Sequence, residues 1–148
     1  MNLSNKNAKI LLLDTHQDIE EYADSLTDKI LSKGEMDFLA YPPNGGLTES
    51  EKQELRKLGD NENLRNALRK VIADNSAGIV FNMFNLFDGT GSPKNDSEKW
   101  TGIKLIDDQP NAEPEPVDDW LHDKFFETYW DWKKLRGTKN WSLDLESD

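Results

Sequence analysis

Apolar residues return every three or four positions along much of the chain, the spacing of amphipathic helices. In DTHQDIEEYADSLTDKILSKG, Ile19, Tyr22, Leu26 and Ile30 keep that spacing, Asp14 with Gln17 three residues on has the form of a capped start, and Gly34 stops the run. The four apolar residues in KILLLD just before it fit either the first turns of this helix or a short strand. A ridge at spacing four, His16, Glu20, Asp24 and Asp28, drifts off the apolar stripe, which predicts Asp24 and Asp28 in water. MDFLAYPPNGG carries two prolines and two glycines and reads as a connection. TESEKQELRKLG then predicts a second helix, opened by the capping-box pair Thr48 and Glu51 and stopped at Gly59. A third starts near Asp60 and reaches about Asn75, with Leu64, Ala67, Leu68, Val71 and Ile72 on one face and Arg65, Arg69 and Lys70 outside.

The stretch FNMFNLFDGTGSP joins an aromatic run to a glycine-rich ending. Wound as a helix, residues 79–88 put Ile79, Val80, Met83, Phe84, Leu86 and Phe87 around most of the circumference and leave one line of Asn82, Asn85 and Asp88. As a strand, the two asparagines would point to opposite faces, a less economical arrangement that the aromatic content keeps in play. The pattern favours a buried central helix at Ile79–Phe87, surrounded by the others, with Gly89 as its left-handed stop and Pro93 preventing resumption. As a phosphate loop the ending fails, because Gly89-Thr90-Gly91-Ser92-Pro93-Lys94 has neither the glycine spacing nor the Lys-Ser/Thr pair. An EF-hand fails too, since Gly89 as sixth residue would place Leu86 and Phe84 at ligand positions.

Further on, WTGIKLID is short and β-rich, residues 107–117 are a Pro- and acid-rich connection of extended or mobile character, and Asp118 caps a final helix that Gly137 ends. That helix turns Leu121, Phe125, Tyr129, Trp132 and Leu135 inward, with Phe126 and Trp130 at one edge. Trp141, Leu143 and Leu145 alternate in the tail, which either docks as an edge strand or frays. These elements predict a mainly α, single-domain bundle over 1–148, with about five helices and a minor β element near residues 100–106.

Composition narrows the function classes. A chain of 148 residues buries roughly two-thirds of its unfolded surface, enough for one independent core. Five Trp, three Tyr and six Phe offset a hydrophobic content of only 35%. The absence of cysteine removes thiol nucleophiles, disulfides and thiolate metal sites. The early apolar run Ile10–Leu13 is too short for a signal peptide and nothing reaches the length of a membrane span, so the expectation is a cytoplasmic protein.

The net charge of −11 is concentrated: residues 107–131 hold nine acids against one base, Lys124, whereas residues 60–106 are balanced at six of each. Such a field repels nucleic-acid backbones and anionic membranes and attracts cationic partners. Asp119, Asp123, Glu127 and Asp131 stand four apart on the final helix, where like charges cost roughly 0.2–0.5 kcal/mol per pair. A solvated face is the ordinary explanation. The functional one is a docking surface for a basic partner, steered by these acids and anchored by Trp120 and Trp130 at the margin of the ridge.

With only two histidines, a metal site has few forms. His16 with Glu20, and Asp119 with His122, bring a carboxylate and an imidazole to one helical face, the pairing that metal-binding bundles use. The competing expectation for His122 is an edge-of-core residue beside Phe126 and Tyr129. Asn82 and Asn85 would line a sensor's ligand cavity, or else satisfy each other or the backbone.

The order FNMFNLFDGTG, WTGIKLID, WLHDKFFETYW resembles small bacterial proteins known only as domains of unknown function, in which a hydrophobic run ending in Asp-Gly precedes a Leu-His-Asp helix. The resemblance covers residues 79–130, implies a small bacterial domain and brings no activity with it. The favoured expectation is a non-enzymatic protein that binds and masks a basic partner, as an antitoxin or immunity protein does, with no cofactor. The alternatives are a metal-dependent enzyme using His16, Glu20, Asp119 and His122, and a small-molecule sensor at Asn82 and Asn85.

Overall fold

The computed structural model describes residues 3–31, 36–95, 97–108 and 120–145. It is mainly helical, with four α-helices and one 3-10 turn, Ser97–Lys99, among the described residues.

Helix α1 spans Asn5–Leu31, so the KILLLD residues are its early turns and Asp14 lies inside it rather than at a cap. The start signal sits further upstream. Ser4 Oγ accepts the Asn7 N–H at 3.3 Å, and Asp107 Oδ1 accepts the Ser4 N–H at 3.1 Å. Hydrogen bonds from the Asn7 and Ser4 side chains and the Ser4 amide hold the Asp107 carboxyl below its usual range. The first residue of the acidic connection is therefore buried and fixed; residues 109–117 of that connection lie outside the described residues.

Helix α2, Glu49–Leu55, opens with the expected capping box: Thr48 N–H donates to Glu51 Oε2 at 2.7 Å and Glu51 N–H to Thr48 Oγ1 at 3.3 Å. Helix α3 runs unbroken from Glu62 to Asp88, which fuses two helices the sequence pattern separates and lowers the count from five to four among the described residues. Asn61 Oδ1 caps its start by accepting the Leu64 N–H at 3.0 Å. Gly78 lies within it, at a cost of about 1 kcal/mol relative to alanine. At its end Gly89 takes φ 75°, and the amides of Thr90 and Gly91 both donate to the Asn85 carbonyl at 3.0 Å. The glycine-rich ending thus closes its own helix.

The expected β element at 100–106 is not present: no strand occurs among the described residues, and Ser4 and Ile106 make only single-residue bridges. Ile103 and Ile106 are exposed and Leu105 only half-buried, so little apolar surface is covered along the segment to favour a strand. Helix α4, Leu121–Leu135, ends before Gly137 at φ 73°. Residues 118 and 119 lie outside the described residues, and the cap position beside α4 is Trp120, whose side chain makes no capping bond.

The chain divides into two compact units, each assembled from two stretches: residues 1–18 with 75–137, and residues 19–74 with 138–148. The first packs Leu3, Ala8, Leu12, Phe84, Leu121 and Phe125 into its core. The Ile79–Phe87 segment is helical as expected but not surrounded: Phe84 is buried, whereas Ile79 and Met83 stand 58% and 47% exposed. Only one side of that helix is covered.

The second unit buries Ile19, Ala23, Leu31, Met36 and Ala73 together with Glu20 and Thr27. The inner line of α1 is therefore rotated from the expected stripe, and Tyr22 is 72% exposed. Asp24 and Asp28 do not simply face water. Asp24 Oδ1 pairs with Arg69 Nε at 2.7 Å, and Asp28 pairs with Arg65, which also grips Asp60. Numbers rise on one helix as they fall on the other, so these segments of α1 and α3 run antiparallel here. The arginines expected outside α3 lie half-buried because a guanidinium fork meets carboxylates while its stem covers apolar surface. Glu20, 1% exposed, receives Lys139 Nζ at 2.6 Å, an ion pair that lies off the hydrogen-bond direction. Lys139 and Arg69 flank the Trp141 ring at 4.7 and 4.4 Å, so the tail docks through one tryptophan while Leu145 stays exposed.

Candidate functional site

Helix α4 carries the most distinctive surface of the first unit. Leu121 and Phe125 face inward, and Phe125 meets Phe84 with ring centroids 5.6 Å apart. On the other side Trp120, Phe126 and Trp130 remain 45%, 60% and 44% exposed. Phe126 and Trp130, one helical turn apart, share a face. The two rings are held from behind: Phe126 lies against Phe81 and Phe125 at 5.4 and 5.3 Å, and Trp130 against Tyr129 at 5.2 Å. Aromatic side chains so supported present area to a partner with little rotamer freedom left to lose.

Acids border these rings. Asp123 is exposed, its Oδ1 3.5 Å from the His122 Nε2, and Glu127 is exposed with no ion-pair partner among the described residues. Asp131 differs from its neighbours on the ridge. Its Oδ2 accepts from Lys9 Nζ of α1 at 2.8 Å and its Oδ1 lies 3.6 Å from Lys134, and Lys9 above all holds this carboxyl below its usual range. Part of the like-charge repulsion along the ridge is relieved in this way. Glu127 and Asp131 also line a cavity of about 360 Å³ between α1 and α4, together with Asn5, Lys9, Leu12 and Lys124. Asp119 lies outside the described residues.

Three of the four residues weighed as metal ligands, His16, Glu20 and His122, have another occupation. His16 is buried, stacks on Phe125 at 4.8 Å and donates Nε2–H to the Phe125 carbonyl at 2.7 Å. Burial lowers its pKa and the carbonyl bond offsets part of that, which favours a neutral ring. Glu20 is paired with Lys139, and His122 Nδ1–H donates to Asp88 Oδ2 at 2.7 Å. Among the described residues no group of three or more His, Asp or Glu is placed to hold a metal ion.

Asp88 is the residue that sequence reasoning passed over. It lies on the polar line of α3, yet its side chain is 0% exposed, and Oδ2 also accepts the His122 backbone N–H at 2.9 Å. A carboxylate from the end of α3 thus caps the first turn of α4 and fixes the His122 tautomer at once. The signal was available: an acid in the last turn of a helix opposes the macrodipole and needs a compensating partner. Asn85 donates to the Phe81 carbonyl at 2.9 Å and accepts from Thr90 Oγ1 at 2.8 Å, so it serves the helix end, and Asn82 is exposed.

The chain matches no protein-family model, no curated protein and no solved structure. No helix among the described residues is long and apolar enough to cross a membrane.

Proposed function

We propose that this protein binds a basic protein partner through the outer face of α4 and masks or regulates it, in the manner of an antitoxin or immunity protein. The observation that carries this reading is the exposure of Trp120, Phe126 and Trp130 next to the carboxylates of Asp123 and Glu127. Large aromatic rings on a single helix are the residue types that anchor interfaces, and bordering acids raise encounter rates with cationic surfaces. The overall charge of −11 adds long-range attraction of the same sign. Asp119, Asp123, Glu127, Asp131, Trp120 and Trp130 are the proposed contact residues, and Phe126 joins them as the most exposed of the three rings on this face.

Capture from a lysate of the source cell tests this with three baits: the native chain, Asp123→Lys/Glu127→Lys, and Phe126→Ser/Trp130→Ser. The expected result is a basic protein retained by the native chain, lost by both variants, and rebound when purified. A native bait that retains nothing the variants lose, with all three folded by circular dichroism, refutes the reading.

A further inference from the structure

The side of α3 turned away from buried Phe84 is bare. Asn75, Gly78, Ile79, Asn82 and Met83 share that side, and all five are exposed, Ile79 and Met83 being large apolar residues left in water. Residues 75–87 include no charged side chain, in a chain that is 32% charged and carries a net −11. Neither Asn75 nor Asn82 bonds through its side chain to another described residue. Gly78 has no purpose within a single chain. It lies inside the helix, and a Cβ built on it would meet nothing within 4 Å, so alanine would fit there and make the better helix. What glycine provides on the outside of a helix, and alanine does not, is room for another backbone to come close.

We propose that this face of α3 pairs with the same face of a second copy of the chain, the two helices antiparallel and crossing over Gly78. The pattern of residues is self-complementary. A two-fold axis midway between positions 78 and 79 sets Asn75 opposite Asn82 of the second copy and Gly78 opposite Ile79 of the second copy, then repeats both contacts in reverse, as an isologous interface requires. Each Ile79 fills the space over the other copy's Gly78. The facing amides each offer a donor and an acceptor, so Asn75 and Asn82 can satisfy one another across the axis. Charge separates this occupant from others: a cationic partner finds no carboxylate along residues 75–87, whereas two chains of −11 can meet there without setting acid against acid. The pairing is independent of the reading of α4. Phe81, the α3 residue that meets Phe126, points to a different side of the helix from Ile79, two positions away. With one helix from each chain, the contact belongs at the small end of specific interfaces, and its dissociation constant is expected at about 10–100 µM.

Sedimentation velocity of the full chain, loaded from about 1 to 500 µM, tests this; the mean coefficient should climb from monomer to dimer across that range. Ile79→Glu should weaken the dimer at least roughly tenfold, since it sets a carboxylate at the centre of the contact. Gly78→Ala should weaken the dimer several-fold while raising the melting temperature of dilute protein by about 2–4 °C, a pair of opposed shifts that a glycine serving one chain alone would not give. Asn75→Lys and Asn82→Asp should each loosen the pairing, and the double variant should restore it, because the antiparallel register sets each lysine against an aspartate. All four positions are exposed, and circular dichroism verifies that the variants fold. A coefficient that stays monomeric throughout, a dimer indifferent to Ile79→Glu, or a double variant no tighter than the single ones overturns the pairing.

Discussion

Replacing Asp88 by alanine should destabilise the protein far more than its place at the end of a helix suggests. The side chain is fully enclosed, and one oxygen accepts two bonds from the same residue: the His122 backbone N–H at 2.9 Å and the ring Nδ1–H at 2.7 Å. Loss of an N-terminal cap costs about 1 kcal/mol, and loss of a hydrogen bond to a charged acceptor about 1.5–3 kcal/mol. The two share an atom and are not independent, so the sum is taken as about 2–4 kcal/mol. For a chain of this size each kcal/mol moves the melting temperature by about 2–4 °C, which places the expected fall at roughly 5–15 °C. Urea unfolding followed by far-ultraviolet circular dichroism measures the free energy directly. His122→Ala keeps the backbone N–H donor in place, so the double variant should cost less than the two single changes added together. An Asp88→Ala protein within about 0.5 kcal/mol of the native one, or strict additivity with His122→Ala, would refute the shared cap.

Further outcomes follow from other parts of the fold. Phe125→Ala removes a ring that is 1% exposed and touches His16 and Phe84, and should cost about 3–5 kcal/mol in urea unfolding. His16 has its pKa lowered in the fold, so its contribution is complete above the unfolded value near 6.5 and is lost as pH falls through the lower folded value; His16→Gln should flatten stability against pH in that window. Gly89→Ala forces a side chain into φ 75° and should cost about 1–2 kcal/mol, read as earlier amide exchange at the end of α3. Thr48→Ala should cost about 1 kcal/mol within α2, none of whose residues is buried, and so should raise amide exchange there while leaving the global transition in place.

The local signals were the legible ones. Thr48 and Glu51 declared their capping box, Gly89 and Gly137 declared two helix ends, and the alternation of faces on α4 separated Phe125 from Phe126 and Trp130. These depend on neighbours within a few residues, which periodicity captures. The orientation of α1 and α3 was not legible, because it depends on which helix each one meets. Arg65 and Arg69 look like an outer face, and Asp24 and Asp28 look solvated, until these groups and Asp60 are placed opposite one another, and the ion pair of Glu20 needs Lys139 from the far end of the chain. The start of α1 was misplaced for the same reason, since part of its cap, Asp107, is 103 residues away. At the candidate site, the acid ridge and its tryptophans could be read from spacing; the cavity could not, because Lys9 and Asn5 belong to a distant segment.

Neither compact unit is a continuous length of chain, and this governs how the molecule can be taken apart. A cut anywhere between residues 31 and 62 divides the second unit, leaving one resulting fragment with α1 and the other with α3. Removal of the last eleven residues strips the same unit of Trp141 and of the cation that answers Glu20. Shortened versions made to crystallise or label the α4 face will therefore expose fresh apolar surface, and tags are better carried on exposed side chains than gained by deletion.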